Sequence, residues 1–151
     1  GEGGEGGTKD CVDGVVTVVI SAFGIAFGIL GIELPAGNLI ADSVISNSAL
    51  VNGIIDIVKT MNQLDNSGDL ALGVSKILAL LYNEGIFQAV VDAALASLSF
   101  FEWAIVAAQV AGTIALWFTT GAAALAVQIG LVVLDAVELT QGVLKIKDNC
   151  F

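Results

Sequence analysis

The longest stretches of this chain are apolar, and the polar positions between them divide it into segments of helical length. Gly14 to Ile32 is nineteen residues without a charge, bounded by Asp13 and Glu33. As a helix it is about 28 Å long, close to the thickness of a bilayer core. Thr17, Ser21, Gly24, Gly28 and Gly31 recur at steps of four and three and line one helical face. A groove of that kind lets another backbone approach closely. The β-branched cluster Val15–Ile20 also fits the start of a strand, and periodicity alone does not separate the two.

Pro35 and Gly37 punctuate the chain. From Asn38 to about Met61, Ile40, Val44, Val51, Ile54, Ile55 and Val58 fall at three- and four-residue steps, which predicts an amphipathic helix with a candidate interruption at Ser46-Asn47-Ser48. Residues 62–70 read as a surface loop by their turn chemistry. Ala71–Tyr82 is a short helix that Asn83-Glu84-Gly85 terminates. Ile86–Phe101 is another, apolar except for Gln88, Asp92 and the serines. Trp103 to Leu134 then gives thirty-two uncharged residues, with a natural turn at Thr119-Thr120-Gly121. This run predicts a helical hairpin. Its first arm carries Ala104, Ala108, Ala111 and Ala115, and its second Ala122, Ala126 and Gly130. Residues 143–147 alternate polar and apolar, as either a short strand or a last helical turn.

The expectation is an all-α, compact bundle of about five to six helices, with residues 17–31, 104–117 and 122–134 helical and least accessible. The chain has 151 residues, enough for one domain. Its Gly/Glu-rich residues 1–10 read as a disordered tail and 11–151 as a single helical domain. Cys11 and Cys150, the two cysteines, flank the apolar body, and their placement predicts a bridge tying the chain ends. A persistent disulfide belongs to an oxidising compartment, so the expected location is extracellular. The opening glycines lack the basic and apolar regions of a secretory signal, so a secreted form would be the mature one.

Composition sharpens the problem. Apolar residues make up 56 % and charged ones 13 %, and the mean hydropathy is +0.92. A soluble monomer of this size has little polar material with which to cover itself. Fifteen acids against five lysines and no arginine give a net charge of −10. That balance argues against nucleic acid as a partner, because phosphate binding needs clustered cations. Anionic membranes should also repel the chain at neutral pH.

Candidates for catalysis are poor, and no cofactor is expected. There is no histidine to act as general base or metal ligand, and no arginine to clamp a carboxylate or phosphate. Asp65 and Asp69, with Asn62 and Asn66, do not have the spacing of a calcium loop. Trp103 and Trp117 bracket the first hairpin arm, an arrangement that fits an interfacial aromatic belt but fits two core tryptophans somewhat better.

The expected function is that of a secreted, toxin-like or pore-forming protein that hides apolar helices in a soluble bundle until they meet lipid. In plan alone the layout resembles the pore-forming domains of colicins, where helices sheath a hydrophobic hairpin; no motif of that family is present. The alternatives are a self-associating structural protein, including a homo-oligomer, and a carrier of lipid or another apolar ligand. Candidate membrane contacts are Gly24, Gly28, Trp103, Trp117, Gly121 and Gly130. Candidate pH-sensitive groups are Asp13, Glu33, Glu102, Asp135 and Glu138, which stand beside the apolar runs. Carboxylates as a class titrate near ~4, so an acid response should centre at roughly pH 4–5.

Overall fold

The computed structural model describes residues 5–34, 37–61, 67–119, 129 and 137–150, and among them all regular structure is helical. Helix α1 (Glu5–Leu30) buries Val15, Val18, Val19, Ala22, Phe23, Ala26 and Phe27, which recur at three- and four-residue steps. That spacing settles the Val15–Ile20 cluster as helix, because one face of it meets the core along its whole length. The helix closes at Gly31 (φ +77°), whose N–H donates to the Phe27 carbonyl, as does that of Ile32. A left-handed residue one past the end suits glycine, which carries no Cβ penalty there.

Of residues 1–10, expected as a disordered tail, 1–4 lie outside the described residues, and α1 begins at Glu5. Extending an existing helix fixes one residue per hydrogen bond, and so costs much less than nucleating one. Gly6 and Gly7 therefore extend a helix whose body is already well buried.

The predicted segment 38–61 divides into α2 (Gly37–Ile45) and α3 (Ser48–Lys59) at the anticipated interruption. Asn47 makes the break. Its Oδ1 accepts from the Leu50 N–H at 3.0 Å as an N-cap, and its Nδ2 donates to Glu84 at 3.0 Å. Helix α4 (Ser67–Asn83) begins inside the segment expected as a loop, and α5 (Ile86–Ala96) leaves it at an angle of 83°. The turn between them is Glu84-Gly85, with Gly85 at φ +78°. Ile86–Phe101 was expected as one helix, but it breaks at Ser97-Leu98-Ser99. A new helix, α6 (Phe100–Thr119), starts there with Ser99 as its N-cap: the Glu102 N–H donates to Ser99 Oγ, and the Ser99 hydroxyl donates to the Glu102 carboxylate. The last element, α7 (Val137–Asn149), is a helix, which decides the ambiguity at 143–147. These are seven helices among the described residues, against five to six expected.

The packing is organised around α1 and α7, which run antiparallel. Ile146 lies against Gly14, where an added Cβ would sit 3.0 Å from Ile146 Cγ1. Val18 lies against Gly142, where one would sit 2.8 Å from Val18 Cγ2. Each helix thus contributes one glycine to a close backbone approach. The Cys11–Cys150 disulfide closes the same pair at its end, with the two Cα atoms 5.0 Å apart. Lys147 then ties α7 to the end of α3, donating to the Met61 carbonyl at 2.5 Å.

Aromatic rings continue the core outward. Phe23 and Phe27 of α1 pack on Phe87 of α5, with Phe23 stacked on it at 5.6 Å between centroids. Phe87 meets Phe118 of α6 edge-on at 5.4 Å, and Phe118 stacks on Tyr82 of α4 at 4.3 Å. Helix α6 is therefore attached by its C-terminal end.

Candidate functional site

On α6 the buried residues are Val110, Ile114 and Trp117, all in its second half. From Phe101 to Gln109 no residue is buried; Val106 and Ala107 are half-covered and the others are exposed. The exposed fractions are large for such side chains: 80 % for Phe101, 63 % for Ile105 and, further along, 53 % for Leu116. Ala104, Ala108, Ala111 and Ala115, expected to form a packing stripe inside the bundle, also point outward. The helix is anchored by its C-terminal half, and its exposed N-terminal half is apolar apart from Glu102 and Gln109.

This corrects the expectation that residues 104–117 would be among the least accessible. The reason is geometric. Apolar side chains surround α6, but a single layer of neighbours covers only one strip of a helix. The rings of α1, α4 and α5 already occupy the interior, so α6 lies across their edge. Its inward strip runs through Val110, Ile114 and Trp117, and the alanine face is left opposite.

The two tryptophans fall on the same side of α6, because fourteen residues are close to four full turns. Trp117 is 1 % exposed and belongs to the core, whereas Trp103 is 47 % exposed where the helix overhangs its neighbours. They do not form a pair of equivalent interfacial anchors. Trp103 alone remains a surface group.

The small-residue face of α1 is used only in part. Thr17 lies against Gly142 of α7, and Ser21 Oγ is enclosed with no hydrogen-bond partner among the described residues. Gly24 and Gly28 are exposed, with nothing within 4 Å of where a Cβ would stand. The predicted close backbone approach therefore occurs at Gly14 and Gly142 instead. Gly142 was not singled out by spacing, because its partner glycine lies more than a hundred residues away.

Glu33, Glu102 and Glu138 are exposed and Asp13 is half-buried, so the structure does not bring the acidic candidates into one cluster. Gly121, Gly130 and Asp135 lie outside the described residues, as does the second arm of the hairpin apart from Ile129, which is buried. So do Asn62, Asp65 and Asn66 of the acidic loop. Among the described residues no three of His, Cys, Asp or Glu are grouped to hold a metal ion. Asp92 sits exposed at the edge of α5 and accepts from Gln88 Nε2 at 2.9 Å.

Sequence reasoning missed Phe101, Ile105 and Leu116 as surface groups. The Ser99…Glu102 spacing was the available signal: it starts a helix at residue 100, which places Phe101 in the first turn and not at the end of α5. Two helices are long and apolar enough to cross a membrane by length and composition: residues 10–30 of α1, about half buried, and residues 101–118 of α6, mostly uncovered. Compared with known protein families, characterised proteins and solved structures, the chain matches none.

Proposed function

We propose that this is a secreted, non-enzymatic, membrane-active protein whose first contact with lipid is the exposed N-terminal half of α6. The observation that carries the reading is the stretch Phe101–Gln109, which has one charged residue, Glu102, and no buried one. Exposed apolar area of this extent marks an interaction surface in soluble proteins. The helix around it has the composition of a span, and at 1.5 Å per residue its eighteen residues reach about 27 Å. Burial of Phe101, Ile105 and Leu116 in acyl chains would supply on the order of 1.5–3 kcal/mol each, if complete.

A second reading, self-association, is supported by Ala104, Ala108, Ala111 and Ala115. Their common outward face suits close pairing with the same helix of another copy. Dye release from liposomes, run beside sedimentation of the detergent-free protein, separates the two. The membrane-active reading expects a monomer that releases dye, and an Ile105→Glu variant that stays folded and releases markedly less. A stable oligomer that leaves liposomes intact would replace it with the second reading.

A further inference from the structure

The exposed surface of α6 carries a single charge, and it is acidic, as are the exposed charges of α5 and of the α4–α5 turn. Glu102 stands in its first turn, Asp92 is exposed on α5, against which α6 packs, and Glu84 is exposed in the α4–α5 turn. Tyr82, two residues before Glu84, stacks on Phe118, so this turn lies at the anchored end of α6. The lysines are elsewhere. Lys59 is on α3, and Lys145 and Lys147 are on α7, in the layer formed with α1; Lys76 is the exposed cation of α4, nearly two turns before Tyr82. No lysine or arginine occurs between Lys76 and Lys145 in the sequence, so neither α5 nor α6 carries a cation.

We infer that the surface α6 docks on is a zwitterionic or uncharged lipid surface, and that anionic headgroups are discriminated against at neutral pH. The inference rests on the membrane-active reading and adds the class of lipid. Apolar burial is indifferent to headgroup charge, so it supplies affinity for either surface. Headgroup selectivity then falls to the acidic rim. The potential at an anionic leaflet attracts a juxtaposed cation by about 1 kcal/mol, and it repels a carboxylate by a similar amount. Glu102 on the docking half of α6 and Asp92 on α5, with no basic residue on either helix, make the anionic surface weaker by roughly tenfold once screening and distance reduce each contribution.

Trp103 provides the measurement, because it is exposed at the free end of α6 whereas Trp117 is already in the core. The full chain is titrated at pH 7.4 and low salt with vesicles of phosphatidylcholine, and with vesicles in which about a third is replaced by phosphatidylglycerol. The emission blue shift is followed, and vesicle co-flotation serves as an independent readout. The expected result is a shift with both lipids, on the order of tenfold tighter with phosphatidylcholine alone. The shift disappears in Trp103→Phe, and the difference narrows in Glu102→Gln and in high salt. Equal or tighter binding to the anionic vesicles would overturn the lipid class and leave the membrane reading standing. No shift and no co-flotation with either lipid would overturn both.

Discussion

Gly142 offers a test of the α1–α7 packing with a definite sign. In Gly142→Ala the new methyl would stand 2.8 Å from Val18 Cγ2 and 3.1 Å from both Thr17 Cγ2 and the Val18 backbone nitrogen. Val18 is fully buried, so its side chain has no free rotamer to retreat into. The backbone nitrogen cannot move without α1. The helices must separate by some tenths of an ångström, and the nearby Gly14–Ile146 contact opposes that. Overpacking of a tight core costs about 1–3 kcal/mol. The replacement also gains about 1 kcal/mol of helix propensity. The net expectation is a loss of up to about 2 kcal/mol, which for a chain of this length lowers Tm by as much as roughly 4–8 °C. Gly24→Ala is the matched control, since the same methyl meets nothing within 4 Å and should raise Tm by a few degrees through propensity alone. Thermal unfolding followed by far-UV circular dichroism reads both. If Gly142→Ala melts at or above the unsubstituted protein, the close approach of α1 and α7 is wrong.

Three further outcomes are expected. Ser99→Ala removes the cap that starts α6 and should cost ~0.5–2 kcal/mol in urea unfolding, whereas Ser97→Ala, which loses only a hydroxyl donation to the Ala94 carbonyl, should cost less. Reducing the Cys11–Cys150 bridge opens a loop with a sequence separation of 139 and should remove about 5 kcal/mol on the chain-entropy account, read as a fall in urea midpoint; unchanged stability on reduction would remove the bridge from the list of stabilising features. Leakage from anionic liposomes should rise as pH falls through the carboxylate range, roughly 5 to 4, because the chain has fifteen acids and no histidine to respond nearer neutrality; a flat profile would refute this.

Much of the architecture was legible in local pattern. The all-helical class, the break at Asn47, the stop at Gly85 and the pairing of Cys11 with Cys150 all follow from signals within a few residues or from chain-end placement. What escaped was the direction each apolar helix faces. A run such as 101–118, with large side chains on most sides, has only a narrow polar strip (Glu102, Gln109 and Thr113), too thin to say how much of the remainder faces solvent. That depends on which rings fill the core first, and Phe23, Phe27 and Phe87 come from distant parts of the sequence. The small-residue stripe of α1 failed for a related reason. Spacing located a groove, but only the placement of α7 decides that Gly14 and Thr17 are covered while Gly24 and Gly28 are not. For the candidate site, Trp103 and Trp117 are not equivalent: Trp103 is exposed and Trp117 is in the core. The fourteen-residue interval to Trp117 puts both on one side of the helix, and the anchored end of α6 keeps only one of them wet.

The bridge that closes the chain also sets a parity rule for any membrane-inserted form. Cys11 and Cys150 are held within one disulfide of each other, so both must lie on the same side of a bilayer. The chain between them must then cross an even number of times while the bond is intact. Crossing by residues 10–30 and 101–118 together satisfies the rule; crossing by either alone violates it, unless another segment makes the return. An oxidised protein that lays α6 flat on one leaflet crosses zero times and obeys it as well. Surface binding and paired insertion are thus the topologies open to the oxidised chain, and a single span is reserved for the reduced one.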